Sequence, residues 1–192
     1  VENASVNEVT LAPSSDQTIT AGETVAFNAT AFDQYDNTVE TTNSSFIWTN
    51  TTGSGVFENT TAGTYTVTAS YSGTQSSSTT VTVENASVNR VNITPSSDQT
   101  ITAGEKINFN ATAFDKFNNT VETTNSSFNW TNTTASGVFE NTTAGTYTVT
   151  ASYNDTQSAS TIVTVEDASV DRVNITPSVD QTVTAGENIT FN

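Results

Sequence analysis

The feature that most constrains this chain is a repeat with a period of 82 residues. VENASVN at residues 1–7 returns at residues 83–89 and again, altered to VEDASVD, at residues 165–171. Two complete units, 1–82 and 83–164, are followed by the start of a third, 165–192. The complete units differ at 16 positions. A fixed period of that length marks a tandem array of whole domains, because solenoid motifs are shorter. The segment ENTTAGTYTVTASY, residues 58–71, recurs unchanged at residues 140–153. Tyr65, Val67, Ala69 and Tyr71 alternate with Thr66, Thr68 and Ser70, the period of a strand with one face on a core and one in water.

The same alternation predicts about seven short strands per unit. In the first unit they fall at residues 6–11, 24–32, 38–40, 44–50, 56–58, 64–71 and 76–83, with a further short piece at 18–20. Val9, Leu11, Val25, Phe27, Ala29, Ala31, Phe46 and Trp48 point inward. Pro13 ends the first strand, and DQYDN at 33–37 reads as a turn, because Asp and Asn satisfy their own backbone and tolerate positive φ. No stretch carries helical periodicity. The fold class is all-β, and the third unit is expected to contribute its first strand and the start of its second.

Around Trp48 and Tyr65 the pattern resembles an immunoglobulin-like domain. That fold buries a Trp on its third strand and sets a tyrosine corner two residues before a core position on its sixth. AGTYTV at 62–67 is similar to such a corner, with Val67 where antibody domains carry a cysteine; Trp130, Tyr147 and Val149 repeat the arrangement. The absence of the disulfide, and the stretch TITAGETVAFNATAFDQYDNTVE, resemble the invasin/intimin type of bacterial and archaeal Ig-like repeat. The resemblance implies tandem Ig-like β-sandwiches without a disulfide, on a cell-surface protein. It implies nothing specific about activity.

Composition removes several function classes. Only Arg90, Lys106, Lys116 and Arg172 are basic, against 20 acids, for a net charge of −16. Nucleic acid and anionic lipid both require neutralising Lys and Arg, so neither is an expected partner. Without Cys, Met or His there is no thiolate or imidazole chemistry and no usual zinc site. Catalysis would have to rest on paired carboxylates or a Ser/Lys pair. Lys106 and Lys116 are Thr24 and Gln34 in the other unit, so the chain is read as a non-enzyme. No apolar run reaches the length of a membrane span, and VENASVNEV is not a signal peptide. A targeting or anchoring segment is therefore expected outside this window.

The informative constellation is asparagine. Of 22 Asn, 16 stand in N-x-S/T, where chance would place about seven given that a third of the residues are Ser or Thr. They are Asn3, Asn28, Asn43, Asn50, Asn59, Asn85, Asn92, Asn110, Asn118, Asn125, Asn129, Asn132, Asn141, Asn154, Asn174 and Asn188. Four differences between the units create such an acceptor: Thr10 becomes Asn92, Asp36 becomes Asn118, Ile47 becomes Asn129 and Ser72 becomes Asn154. Asn28, Asn92, Asn110 and Asn129 flank inward residues, so their side chains should face solvent, as a bulky glycan requires. Oxygen-only calcium ligation by Asp33, Asp36 and Asp115 is a weaker candidate, because these residues suit turns and no EF-hand spacing is present. With only about residues 84–87 between units, the expected product is an extracellular, N-glycosylated fibre that self-associates, with strand exchange between subunits as one route. The alternatives are the stalk of an adhesin or S-layer-type protein whose binding tip lies elsewhere, and a carbohydrate-binding module, which would need an exposed row of aromatics; Phe32 and Phe114 are its candidates.

Overall fold

The computed structural model describes residues 5–192. The first repeat contains β1 (Val6–Ala12), β2 (Gln17–Thr20), β3 (Thr24–Ala26), β4 (Asn28–Asp33), β5 (Thr38–Glu40), β6 (Ile47–Thr49), β7 (Val56–Glu58), β8 (Gly63–Tyr71), β9 (Thr74–Gln75) and β10 (Thr79–Glu84). The second repeats the set as β11 (Val88–Thr94), β12 (Gln99–Thr102), β13 (Lys106–Asn108), β14 (Asn110–Asp115), β15 (Thr120–Glu122), β16 (Asn129–Thr131), β17 (Val138–Glu140), β18 (Gly145–Tyr153), β19 (Thr156–Gln157) and β20 (Thr161–Glu166). Among the described residues the only helical pieces are 3-10 turns at Asn43–Ser45 and Asn125–Ser127. The chain is all-β, and its repeats are Ig-like.

Each repeat is a sandwich. One sheet has the order β1-β4-β5, the other β2-β10-β8-β6 with β9 on the flank of β8, and β3 pairs with β7. The register sets Val9 opposite Ala31 and Leu11 opposite Ala29, and Val81 opposite Tyr65. These sheets press Val9, Leu11, Ala29 and Ala31 against Val67, Ala69, Val81 and Val83, all buried. Small and β-branched residues line most of this interface, and Phe27 and Phe57 join the same core, each 1% exposed. Burying a side chain of that size stabilises by roughly 1.5–3 kcal/mol, so the two aromatics anchor a core whose other buried members are mostly Val and Ala, with Leu11 and Phe46.

The expected strand at 24–32 is two strands. Phe27 donates its N–H to Gly55 O at 2.8 Å, which turns β3 toward β7 and leaves β4 to pair with β1. The strand expected from residue 44 starts late, because Ser45 and Phe46 bond back to Thr42 and Asn43. Phe46 is buried as expected, while Trp48 is half-buried and donates its indole N–H to Asn43 O at 2.9 Å. The tyrosine corner is present: Tyr65 donates its hydroxyl to Thr61 O at 2.9 Å, two residues before the fully buried Val67.

Residues 167–192 form no strand, which corrects the expectation of one and a part in the third unit. Thr176 and Asn192 exchange both backbone hydrogen bonds, the pairing that Thr94 and Asn110 make inside the second repeat. Yet Val173 is 82% exposed where its counterpart Val91 is 4% exposed. Strand formation on a half-buried face needs an opposing sheet, and residues 167–192 meet none within the structure.

Candidate functional site

Two features concentrate the unusual chemistry: the contact between the two repeats, and the asparagine-studded surface. The contact is built on the loop between β14 and β15. Asp115 ends β14 fully buried and accepts the N–H groups of Phe117 and Asn119, both at 2.9 Å. Its other oxygen accepts the Asn119 side-chain amide at 2.8 Å and the linker N–H of Ala86 at 3.0 Å. Asn119 then reaches into the first repeat, donating to Thr60 O at 2.8 Å and accepting from Ala62 N–H at 3.0 Å. The linker residue Asn85 donates its side-chain amide to Thr120 O at 3.0 Å.

The loop also drives an aromatic ring onto the first repeat. Phe117 packs with the first repeat's core and covers Gly22, whose φ of +86° and lack of a side chain both matter. A Cβ there would stand 2.6 Å from Phe117 Cζ. Ala21, beside this socket, is 4% exposed and donates its N–H to Glu84 O at the end of β10. Phe117 acts as a knob, the Gly22 turn as its socket, and Asp115 locks the linker between them.

Burial pushes the Asp115 carboxyl up, but the donors from the Asn119 side chain and from the backbone of Ala86, Asn119 and Phe117 outweigh it and hold the group below the usual aspartate range. A carboxyl depressed in the folded state stabilises above its unfolded value, about 3.9, and loses that contribution as pH falls through the folded value. The junction should therefore hold from neutral pH into the ordinary aspartate range and loosen below it. Amide shifts of Ala86 and Phe117, followed by NMR down to about pH 2, should show this acid step, and an Asp115→Asn variant should lack it.

The calcium candidates are not drawn together. Among the described residues no three acids come close enough to share an ion. Asp33 accepts from Tyr35 and Asn37 N–H groups at 2.8 and 3.0 Å, and Asp36 is exposed at a φ of 63°. Asp33 and Asp115 build turns, and N–H donors occupy lone pairs that a cation would use.

The asparagines sort by what their amides already do. Asn43 donates Nδ2 to Phe27 O at 2.8 Å and Ser54 O at 2.9 Å, with Asn28 Oδ1 at 3.2 Å. Its Oδ1 accepts Ala29 N–H at 3.0 Å. Asn125 makes the same bonds to Phe109, Ser136, Asn110 and Ala111. A glycan replaces one Nδ2 hydrogen, and both are already in use at these two positions. Asn43 and Asn125, expected as sugar acceptors, are clamps of the fold. Asn50, Asn132 and Asn85 each make one bond, to Thr66, Thr148 and Thr120 O, and keep a second hydrogen.

Asn59 and Asn141 accept a turn N–H on Oδ1, and Asn118 accepts Arg90 on Oδ1. Asn28 and Asn110 are exposed and accept on Oδ1 only, from the clamps. Asn92, Asn129, Asn154, Asn174 and Asn188 are exposed as well. Asn3 lies outside the described residues. Phe32 and Phe114 are half-buried, the latter under the Arg90 guanidinium at 4.4 Å. The exposed aromatics among the described residues, Tyr35 and Phe191, stand in different repeats and make no row.

Residues 94–165, most of the second repeat, match the bacterial Ig-like domain (group 3), so the resemblance to bacterial Ig-like repeats is shown there directly. Among solved structures, the chain is similar to surface layer protein SbsC, domains 1-6, at 18% identity and a TM-score of 0.43, over 88% of this chain and 29% of that one. It is similar to the Yersinia pseudotuberculosis adhesin InvE at 18% identity and a TM-score of 0.39, over 82% of this chain and 58% of that one. The chain thus spans less than a third of the SbsC structure. No curated protein sequence matches it. Among the described residues no helix is long and apolar enough to cross a membrane.

Proposed function

We propose that this chain is a structural section of an extracellular array, in which Ig-like repeats are locked end to end and carry N-linked sugars on their outward faces. The observation that carries the reading is the junction: an Asn side chain and a Phe knob from the second repeat engage the first, and Asp115 holds the linker N–H of Ala86 between them. Such a contact serves to hold repeats at a set angle. The acceptors on β4, β11, β14 and β16 support the sugar coat, since Asn28, Asn92, Asn110 and Asn129 are exposed.

Glycopeptide mass spectrometry on native material tests the coat. The polypeptide accounts for 20.2 kDa; added mass is expected on Asn28, Asn92, Asn110 and Asn129 and none on Asn43 or Asn125. A native chain of unmodified mass would remove the coat from the proposal. The stiff junction suits a stalk as well as a fibre, and a distinct binding domain in the full-length gene would favour the stalk.

A further inference from the structure

Folding divides the N-x-S/T motifs into two sets. Asn43-Ser44-Ser45 and Asn125-Ser126-Ser127 are acceptor motifs by sequence, yet the fold closes each at the atom that would carry the sugar. Asn43 Nδ2 lies between the Phe27 and Ser54 carbonyls. The backbone of Gly55 comes so close that a Cβ there would stand 2.9 Å from the same nitrogen. Asn125 Nδ2 is held by Phe109 and Ser136 O in the same way, with 2.9 Å to a Cβ on Gly137. Asn28 and Asn110, the clamps' neighbours, are exposed and accept on Oδ1 only.

N-linked transfer joins Asn Nδ2 to the anomeric carbon of a phosphate-activated sugar. The N–C bond forms, the bond from that carbon to the carrier's phosphate oxygen breaks, and one Nδ2 proton is lost as the carrier phosphate leaves. A sugar placed on Asn43 before folding takes one hydrogen from the clamp, and a buried carbonyl at the β3–β4 break then lacks its donor. The sugar ring itself has no space between Gly55 and the two carbonyls.

We infer that sugar transfer to this chain follows folding, so that the finished sandwich selects the motifs: Asn28 and Asn110 open, Asn43 and Asn125 shut. An enzyme meeting the unfolded chain finds all four as N-x-S/T and has no clamp to tell them apart. Modification at the two clamp motifs would then block the fold. The transferase class implied takes a phosphate-activated sugar and a folded protein acceptor. This rests on the reading of a sugar coat.

The test follows the full chain in its native cell, by site-resolved glycopeptide mass spectrometry on the parent and two variants. Ser45→Thr turns the first clamp motif into N-S-T, with the Thr that the Asn28 motif carries, at an exposed position. Phe27→Asp puts a charge where Phe27 is 1% exposed and unfolds the first repeat, leaving the second as an internal control. A short pulse label catches this variant before degradation. Parent and Ser45→Thr are expected to carry sugar on Asn28 and Asn110 and none on Asn43 or Asn125. In Phe27→Asp, Asn43 should gain sugar as fully as Asn28 does while Asn125 stays bare. Sugar on Asn43 or Asn125 of the parent, or on Asn43 of Ser45→Thr, overturns the inference, because the fold then does not guard the motif. Asn43 left bare in Phe27→Asp overturns it too, because the enzyme and not the fold then passes the motif over. A parent with no sugar at any site removes the coat and this inference with it, a result distinct from the other two.

Discussion

An Asn43→Ala variant is expected to lose about 3 kcal/mol of the first repeat's stability, at about 1 kcal/mol for each of three backbone bonds. Asn43 ties the Phe27 and Ser54 carbonyls and the Ala29 N–H. These groups sit where β3 hands over to β4, beside Gly55, whose φ is +81° and whose Cβ would stand 2.4 Å from Phe27 O. The backbones approach too closely there for another side chain to replace the clamp. For a domain of this size each kcal/mol moves the melting temperature by roughly 4–8 °C, so the first repeat should melt about 12–24 °C early. The second repeat keeps its own clamp in Asn125, and calorimetry should therefore resolve two transitions. A single transition within a few degrees of the parent would show that Asn43 is dispensable.

Phe117→Ser should leave both sandwiches folded and free the angle between them. Phe117 is a loop residue whose ring contacts belong to the first repeat, so its loss takes nothing from the second repeat's own core. Removing a half-buried ring withdraws roughly 1–1.5 kcal/mol, enough to cut the closed population relative to open by about tenfold. In the parent, residual dipolar couplings from the two repeats should fit a single alignment tensor; in the variant they should require two. Gly22→Val attacks the same contact from the other side, with a β-branched residue at positive φ and its Cβ in the ring. Two tensors in the parent would mean that the junction does not hold in solution.

The regular parts of this fold were legible because they are local. The sequence pattern covers nine of the ten strands of the first repeat, with β3 and β4 merged and β9 missed, and AGTYTV marks the tyrosine corner. What the alternation missed depends on partners distant in the chain. The break at Phe27 exists because Gly55, 28 positions on, takes its N–H, and nothing in TVAFNATAF marks it. Asn43 reads as one more N-x-S/T, since only the folded backbone reveals that its amide is spent. DQYDN reads as a turn and is one, and its counterpart at residues 115–119 folds the same way. The reach of that second loop into the first repeat becomes visible only in the folded chain, where Phe117 covers Gly22.

The parallel pairing of β2 with β10 has a mechanical consequence. β2 lies near the start of each repeat and β10 at its end, and they are bonded side by side over Gln17–Thr20 and Val81–Glu84. Tension drawn along the array pulls these two strands in opposite directions along their own axes. Their hydrogen bonds are then loaded together in shear, where a hairpin pulled from its open end would give way one rung at a time. Each repeat resists stretching through this short patch.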